Sequence, residues 1–244
     1  MTYVELFTED AIENICACLV SVPDRVILIG SNLKTLRAHA ERYHSFFLDR
    51  GHDIEFICKS VNKNNLNSIV VEMKDDFGMI HFSPENPSIR EKDAVSQYRI
   101  NFDEFVPEFK KDDVYLVARV VVFKDKNLAQ FDKSQYAVWN SKTNRPWIGI
   151  RGTETVTDEN GNTSQKTTYY DENWVDPYSE KVWEYNVQIA QELIARGFDE
   201  IQFDYIRFPT DGTNLGNAQY RWRDKGMDKE SALVSFLSYA RENI

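Results

Sequence analysis

One aspartate, at the end of an apolar strand pattern, is the residue of this chain best placed to do chemistry. The stretch Gly197-Phe198-Asp199-Glu200-Ile201-Gln202-Phe203-Asp204-Tyr205-Ile206-Arg207-Phe208-Pro209 follows an amphipathic helical pattern and opens after a glycine. As a strand it puts Ile201, Phe203 and Tyr205 on one face and Gln202 and Asp204 on the other. Both faces read as buried, one of them around polar groups. A barrel strand behaves this way: its apolar side meets helices, its other side meets the lumen, and its carboxyl end carries the chemistry. Asp204 lies near that end and is the leading catalytic candidate. The same spacing equally suits a carboxylate ion-paired for structure alone, with Arg207 or another lumen cation.

Two further strand patterns would have to stand beside it. Ser68–Gly78 (Ser-Ile-Val-Val-Glu-Met-Lys-Asp-Asp-Phe-Gly) alternates Ile69, Val71 and Met73 against Glu72, Lys74 and Asp76, and a glycine turn closes it. Tyr115–Asp125 sets Leu116, Ala118, Val120 and Val122 against Val117, Arg119, Val121 and Phe123. Lys74 and Arg119 stacked beside Asp204 would make a lumen network of paired charges, because an unpaired buried charge costs several kcal/mol. That network serves structure alone or holds a sugar. The three strands predict helices between them: Phe102 to Phe109, interrupted by Pro107, and a longer one started by Asp176 as cap with Pro177 at its first position and stopped by Gly197.

Between the second and third of these strands the βα rhythm breaks. Ile148–Thr157 and Thr163–Tyr170 flank Asp158-Glu159-Asn160-Gly161-Asn162, and Asn-Gly between such segments predicts a β-hairpin, here an excursion over the barrel mouth. All five tryptophans follow the second barrel-type strand. Aromatic faces bind the C–H faces of sugars, which makes Trp139, Trp147 and Trp174 candidate platforms, whereas Trp183 falls within a helical apolar stripe with Ile189, Ala190 and Leu193 and reads as core.

Composition narrows the classes. A chain of 244 residues with 42% apolar residues and a net charge of −10 can bury a real core, and its acidic surface disfavours nonspecific contact with nucleic-acid duplexes or anionic membranes. No apolar run approaches the roughly 20 residues of a membrane span, and the first ten residues lack the blocks of a signal peptide, so the expected location is the cytoplasm. The three cysteines, Cys16, Cys18 and Cys58, are odd in number and lack clustered histidines, which argues against a disulfide framework and a zinc site. His39, His44, His52 and His81 show no ligand spacing and read as solvated. No metal and no cofactor is expected.

The first quarter has its own pattern. Tyr3–Phe7, Asp24–Gly30 and Ile54–Lys59 read as strands separated by helices, a Rossmann-like opening. Gly30 before a helix N-terminus and the polar run 61–65 lie on the side where open α/β sheets bind ligands, so a nucleotide-type ligand is conceivable, although no glycine-rich phosphate motif is present. Residues 1 to about 70, with Tyr-Val-Glu-Leu-Phe, Ala-Ile-Glu-Asn-Ile-Cys, Pro-Asp-Arg-Val-Ile-Leu-Ile-Gly and Val-Asn-Lys-Asn-Asn-Leu, resemble the start of the CRISPR-associated Rossmann-fold family in its stand-alone effector nuclease branch. That resemblance implies a sensor of cyclic oligoadenylates; the later sensor strands and the nuclease domain have no counterpart here.

A second resemblance covers about residues 66–244. Val-Val-Glu-Met-Lys-Asp-Asp-Phe-Gly, Ala-Arg-Val-Val-Val-Phe-Lys-Asp-Lys-Asn-Leu-Ala, Asn-Trp-Val-Asp-Pro-Tyr and Gly-Phe-Asp-Glu-Ile-Gln-Phe-Asp-Tyr-Ile-Arg-Phe-Pro-Thr-Asp-Gly match, in order, a family of glycoside hydrolases that form a (β/α)8 barrel, distantly similar to α-amylase-type enzymes. The resemblance implies that the three strands are the second, third and fourth of the barrel and that Asp204 takes the nucleophile's place. It further implies that Arg207 and Arg119 orient carboxylates or hydroxyls, that Lys74, Asp75 and Asp76 shape the mouth, and that Lys124, Asp125, Gln202 and Tyr205 join the substrate-binding set, with a polysaccharide or oligosaccharide as substrate. An intact hydrolase of this family would be secreted. The expected fold is therefore α/β, with Rossmann-like βα units over 1–67 followed by a partial TIM (β/α) barrel over 68–244 that carries a β-hairpin insertion at about 140–172. The first barrel strand and the strands after the fourth, including the fifth-strand acid/base position, have no counterpart, so the expectation is an incomplete and inactive barrel joined near residues 66–70 to an unrelated piece.

Overall fold

Alternating β-branched residues build the centre of the molecule. In the computed structural model, which describes Leu28–Ile29 and residues 68–244 apart from Tyr98, Asp112, Asp158 and Asn160, the main sheet contains β1 (Leu28–Ile29), β2 (Ser68–Lys74), β3 (Tyr115–Val121) and a later strand, Glu200–Asp204. All pair in parallel, in chain order. Leu28 and Ile29 sit opposite Ile69 and Val70, so residues on either side of position 67 share this sheet. The expected cysteine positions, the histidines at 39, 44 and 52, the turn at Gly30 and the remaining Rossmann-like elements lie outside the described residues.

Two helices lead from β2 to β3. The short α1 (Pro87–Arg90) is capped by Asn86, whose Oδ1 accepts from Ser88 N, and α2 (Phe102–Lys111) runs through Pro107 without ending. Its Phe102, Phe105 and Phe109 fall at helical spacing on one face and pack with Phe82 and Phe198. After β3 come α3 (Lys126–Ser134), kinked at Phe131–Lys133, and a small antiparallel sheet with β4 (Trp139–Asn140) between β5 (Arg145–Pro146) and a later strand, Ala218–Gln219. The hairpin follows: β6 (Ile150–Thr157) and β7 (Thr163–Tyr169), antiparallel. Asn214 locks its root, accepting from Ile150 N at 2.7 Å and donating to Ile148 O at 2.9 Å. Then come α4 (Glu180–Ala195), β8 (Glu200–Asp204), β9 (Ala218–Gln219) and α5 (Lys229–Asn243). Among the described residues no helix is long and apolar enough to cross a membrane.

The sheet has two unlike faces. Ile69, Met73, Leu116, Ala118 and Val120 belong to the large core under the helices, where Phe203 meets Phe236 of α5 edge to face. Val70 and Val117 form a separate small cluster on the opposite face, the face that Glu72, Arg119, Gln202 and Asp204 share by register. One irregularity breaks the alternation: between Glu72 and Lys74 the register shifts, so that Glu72 lies opposite Arg119 while Lys74 lies opposite Val120. The bulge moves Lys74 to the helix side, because an extra residue in a strand reverses every side chain beyond it. Strict alternation had put Glu72 and Lys74 on one face.

Candidate active site

Asp204 is the last residue of β8, and its neighbours fix both of its oxygens. Arg119 donates to Oδ2 from Nε at 2.9 Å and from Nη2 at 2.6 Å. Tyr205 N–H donates to Oδ1 at 2.6 Å, which the backbone achieves by holding Tyr205 at φ 53°. A left-handed aromatic residue costs roughly 1–2 kcal/mol, and such strain is retained where surrounding structure imposes it, commonly at functional sites. Arg207, offered by the sequence as the ion-pair partner of Asp204, makes no such bond; Arg119 holds that place.

Arg119 also donates from Nη1 to Glu72 Oε1, so one guanidinium bridges two carboxylates. Charge-assisted bonds of this forked kind are the strong ones. Burial pushes the Glu72 carboxyl up to about 7, against the pull of Arg119. Arg119, Asp204, Tyr205, Ile206 and Arg207 line an open pocket of about 500 Å³. Arg207 lies over the Trp174 ring at 4.7 Å and over the Tyr205 ring at 5.3 Å. Beside them Lys124 bonds Asp76 Oδ2 at 2.8 Å, approaches Glu172 Oε1 at 3.2 Å and lies 5.0 Å from the Tyr205 ring. Burial works against the Lys124 charge, yet the hydrogen bond and charge of Asp76 prevail and raise its pKa.

The structure thus gathers Asp204, Arg119, Arg207, Tyr205, Trp174, Lys124 and Asp76 around the carboxyl ends of β2, β3 and β8, while other expected site residues are engaged elsewhere. Lys74 is fully buried under α4, where its Nζ bonds Val121 O at 2.6 Å, Asn186 Oδ1 at 3.1 Å and Asp125 Oδ2 at 2.7 Å. Asp125 is also the cap of α3, its Oδ1 accepting from Leu128 N at 2.7 Å, and Gly78 at φ 81° makes room for it: a Cβ there would sit 1.8 Å from that oxygen. Asp75 accepts from Phe77 N and Met79 N and pairs with His81, which is buried rather than solvated. Burial works against the Asp75 carboxylate, but the bonds from His81, Met79 and Phe77 hold its pKa below the usual value.

Trp147 is packed in the core with its Nε1 donating to Asn214 O, and Arg221 covers one face of Trp139 at 3.9 Å, so neither presents a free platform in the pocket. Gln202 stands opposite Arg119 in register, half-buried. Trp183 is core, as its helical spacing predicts, and donates to Pro177 O. Asp176 is not a helix cap: Ser179 takes that position, and Asp176 instead accepts from Tyr178 N and Trp222 N while burial pushes it up to about 6. Sequence reasoning left Glu72 and Glu172 out of the site. Glu72 had a signal, since it alternates onto the face of Arg119.

The family described as "Putative glycosyl hydrolase domain" matches residues 46–244. That span begins upstream of the expected boundary at 67, so the comparisons lend no support to a join there or to the CRISPR-associated resemblance of residues 1–70. No curated protein matches the chain. Among solved structures, a hypothetical protein from Ruminiclostridium thermocellum is 29% identical, with a TM-score of 0.62 over 80% of this chain and 87% of that one. The trehalose-6-phosphate hydrolase of Bacillus licheniformis is 16% identical, with a TM-score of 0.47 over 80% of this chain and 38% of that one. An alpha-L-fucosidase isoenzyme of Paenibacillus thiaminolyticus is 14% identical, with a TM-score of 0.42 over 99% of this chain and 29% of that one. With four-fifths of its residues inside the matched span, this chain belongs to the family described as "Putative glycosyl hydrolase domain".

Proposed function

We propose that the chain is a glycoside hydrolase domain for a polysaccharide or oligosaccharide, that its sheet is part of a (β/α)8 barrel with the Glu72–Arg119–Asp204 face as lumen, and that Asp204 is the nucleophile. The observation that carries the reading is Asp204 itself: a carboxylate at the carboxyl end of a parallel strand, fixed through both oxygens, on the wall of an open pocket. In the retaining mechanism such a carboxylate attacks the anomeric carbon as the glycosidic bond breaks, forming a glycosyl ester that water later cleaves. Arg119 positions Oδ2, and the Tyr205 amide positions Oδ1, so that little reorganisation is needed as the sugar arrives.

A retaining pair needs a second carboxyl group about 5–5.5 Å away to protonate the leaving oxygen. Asp204 is the one carboxylate among the described residues that line the pocket. The reading therefore assigns the nucleophile and leaves the acid unassigned. The test follows from this division. A fluorinated glycosyl donor with a dinitrophenolate leaving group needs no acid, and its sugar should become attached to Asp204 of the full chain, read by mass spectrometry of peptides. Absence of labelling across a panel of such donors, or labelling that survives Asp204→Asn, would refute the assignment.

A further inference from the structure

We propose that the pocket selects a sugar carrying a negative charge, a carboxylate as in a uronic acid, and that Arg207 is the residue that reads it. The proposal rests on the glycan reading above and names the class of sugar.

Three cations stand at the site, and two are already neutralised. Arg119 is divided between Glu72 and Asp204. Lys124 is divided between Asp76 and Glu172. Arg207 has no carboxylate partner among the described residues. Its hydrogen bonds, to Phe208 O at 3.3 Å and Thr210 Oγ1 at 3.0 Å, both leave from Nη1. The nearest acid on that path, Asp211, is reached only through Thr210, which donates to it at 3.0 Å. Nε and Nη2 make no hydrogen bond among the described residues, and Arg207 is a lining residue of the pocket.

Its surroundings are also built. Trp174 is buried at 1% exposure, and the guanidinium lies over its ring and near the Tyr205 ring. A guanidinium lying over an aromatic ring can keep its N–H edge available, and that edge matches the two oxygens of a carboxylate. A neutral sugar would leave this edge to water. The acidic character of the chain as a whole, at −10, opposes nonspecific polyanion binding, so any preference for an anionic sugar has to come from a local cation of this kind.

The experiment is calorimetric titration of the full chain with uronate trisaccharides (galacturonate, glucuronate and mannuronate series), with the same sugars after reduction of their carboxyls to alcohols, and with a sulfated trisaccharide. At least one uronate should bind about tenfold or more tighter than its reduced counterpart, the scale of one charge-assisted contact. Arg207→Gln should abolish that preference, and Arg207→Lys, which keeps the charge and loses the fork, should fall between. Thermal unfolding of both variants reports whether the fold is intact, and Arg207→Lys carries the test should Arg207→Gln fail to fold. Equal binding of reduced sugars would overturn the charge preference and leave the glycan reading standing. Preference persisting in Arg207→Gln would overturn the role of Arg207. Tighter binding of the sulfated sugar would overturn the carboxylate assignment, and no binding of any sugar would overturn both this proposal and the hydrolase reading.

Discussion

Strands β2 and β3 feed two charged clusters, one on each face of the sheet, and the two have opposite characters. On the helix side Lys74 is ion-paired with Asp125 and hydrogen-bonded to Asn186, with no side-chain surface left to water beyond 1% for Lys74 and Asp125. On the other side Arg119 holds Glu72 and Asp204, but the Asp204 side chain keeps 40% exposure and opens on a pocket. Each cluster centres on a basic side chain paired with carboxylate. What separates a structural ion pair from a candidate nucleophile here is access: a one-residue bulge sends Lys74 through the sheet to the closed side, while Glu72 stays with Arg119 and Asp204 on the open one.

The comparison breaks most sharply at Asp204. Asp204→Asn should eliminate labelling by an activated glycosyl donor while the melting temperature stays close to that of the parent, since the lost charge is already partly in water. A large fall in stability with labelling retained would make the open cluster a structural one as well.

Lys74→Ala should do the reverse. It leaves Asp125 buried without its cation, and removing one partner of a buried pair costs about 3–5 kcal/mol. Urea unfolding should show that loss, with labelling of Asp204 per folded molecule unchanged. A variant of ordinary stability but poor labelling would mean that Lys74 serves the pocket after all.

A pH titration sharpens the contrast within the open cluster. Glu72 is raised from its usual 4.5 to about 7, so between those values the folded state holds a proton that the unfolded state has released. Its contribution is therefore fully present below about 4.5 and is lost as pH rises through 7, a decline of up to about 3 kcal/mol by the size of the shift. Asp176, raised from 3.8 to about 6, has the same sign over a lower window, so the readout is the difference from Glu72→Gln. That variant should flatten the fall in stability between pH 5 and 7, on the order of the span set by these shifts; identical pH profiles for the two proteins would remove Glu72 from the account.

Much of this was legible in the residues. Alternation located β2, β3 and β8 and put Asp204 at a strand end, and Asn160-Gly161 announced the hairpin, because both signals are local. The failures needed information that sequence spacing does not contain. The bulge at Glu72–Lys74 is a register feature between strands, so Lys74 looked like a mouth residue. Trp147 and Trp174 look alike as platforms in the sequence, yet both are buried, the first with its N–H on Asn214 O and the second beneath Arg207; only packing shows this. Asp176-Pro177 reads as a cap, but the helix waits until Glu180 and the carboxylate ties down Trp222 instead. Glu72 falls on the right face by alternation, but its partner, Arg119, is assigned only by the strand pairing.

The smallest expected effect lies in the hairpin, which tests whether the site depends on it at all. Gly161 sits at φ 81° with nothing within 4 Å of where a Cβ would be, so a substitution there meets backbone strain and no clash. Gly161→Val should cost the hairpin, rather than the core, about 1–2 kcal/mol, the penalty of a left-handed conformation for a residue with a Cβ, and a β-branched side chain belongs at the upper end. The strands β6 and β7 pair with each other and are largely exposed, and Asn214 anchors their root independently of the tip. The strain should therefore be relieved locally: hydrogen exchange of the β6 and β7 amides quickens, while global unfolding and Asp204 labelling hold. Loss of labelling in Gly161→Val with the core intact would show that the arm, although far along the chain from Asp204, helps to seat the sugar and that the open cluster is larger than its pocket.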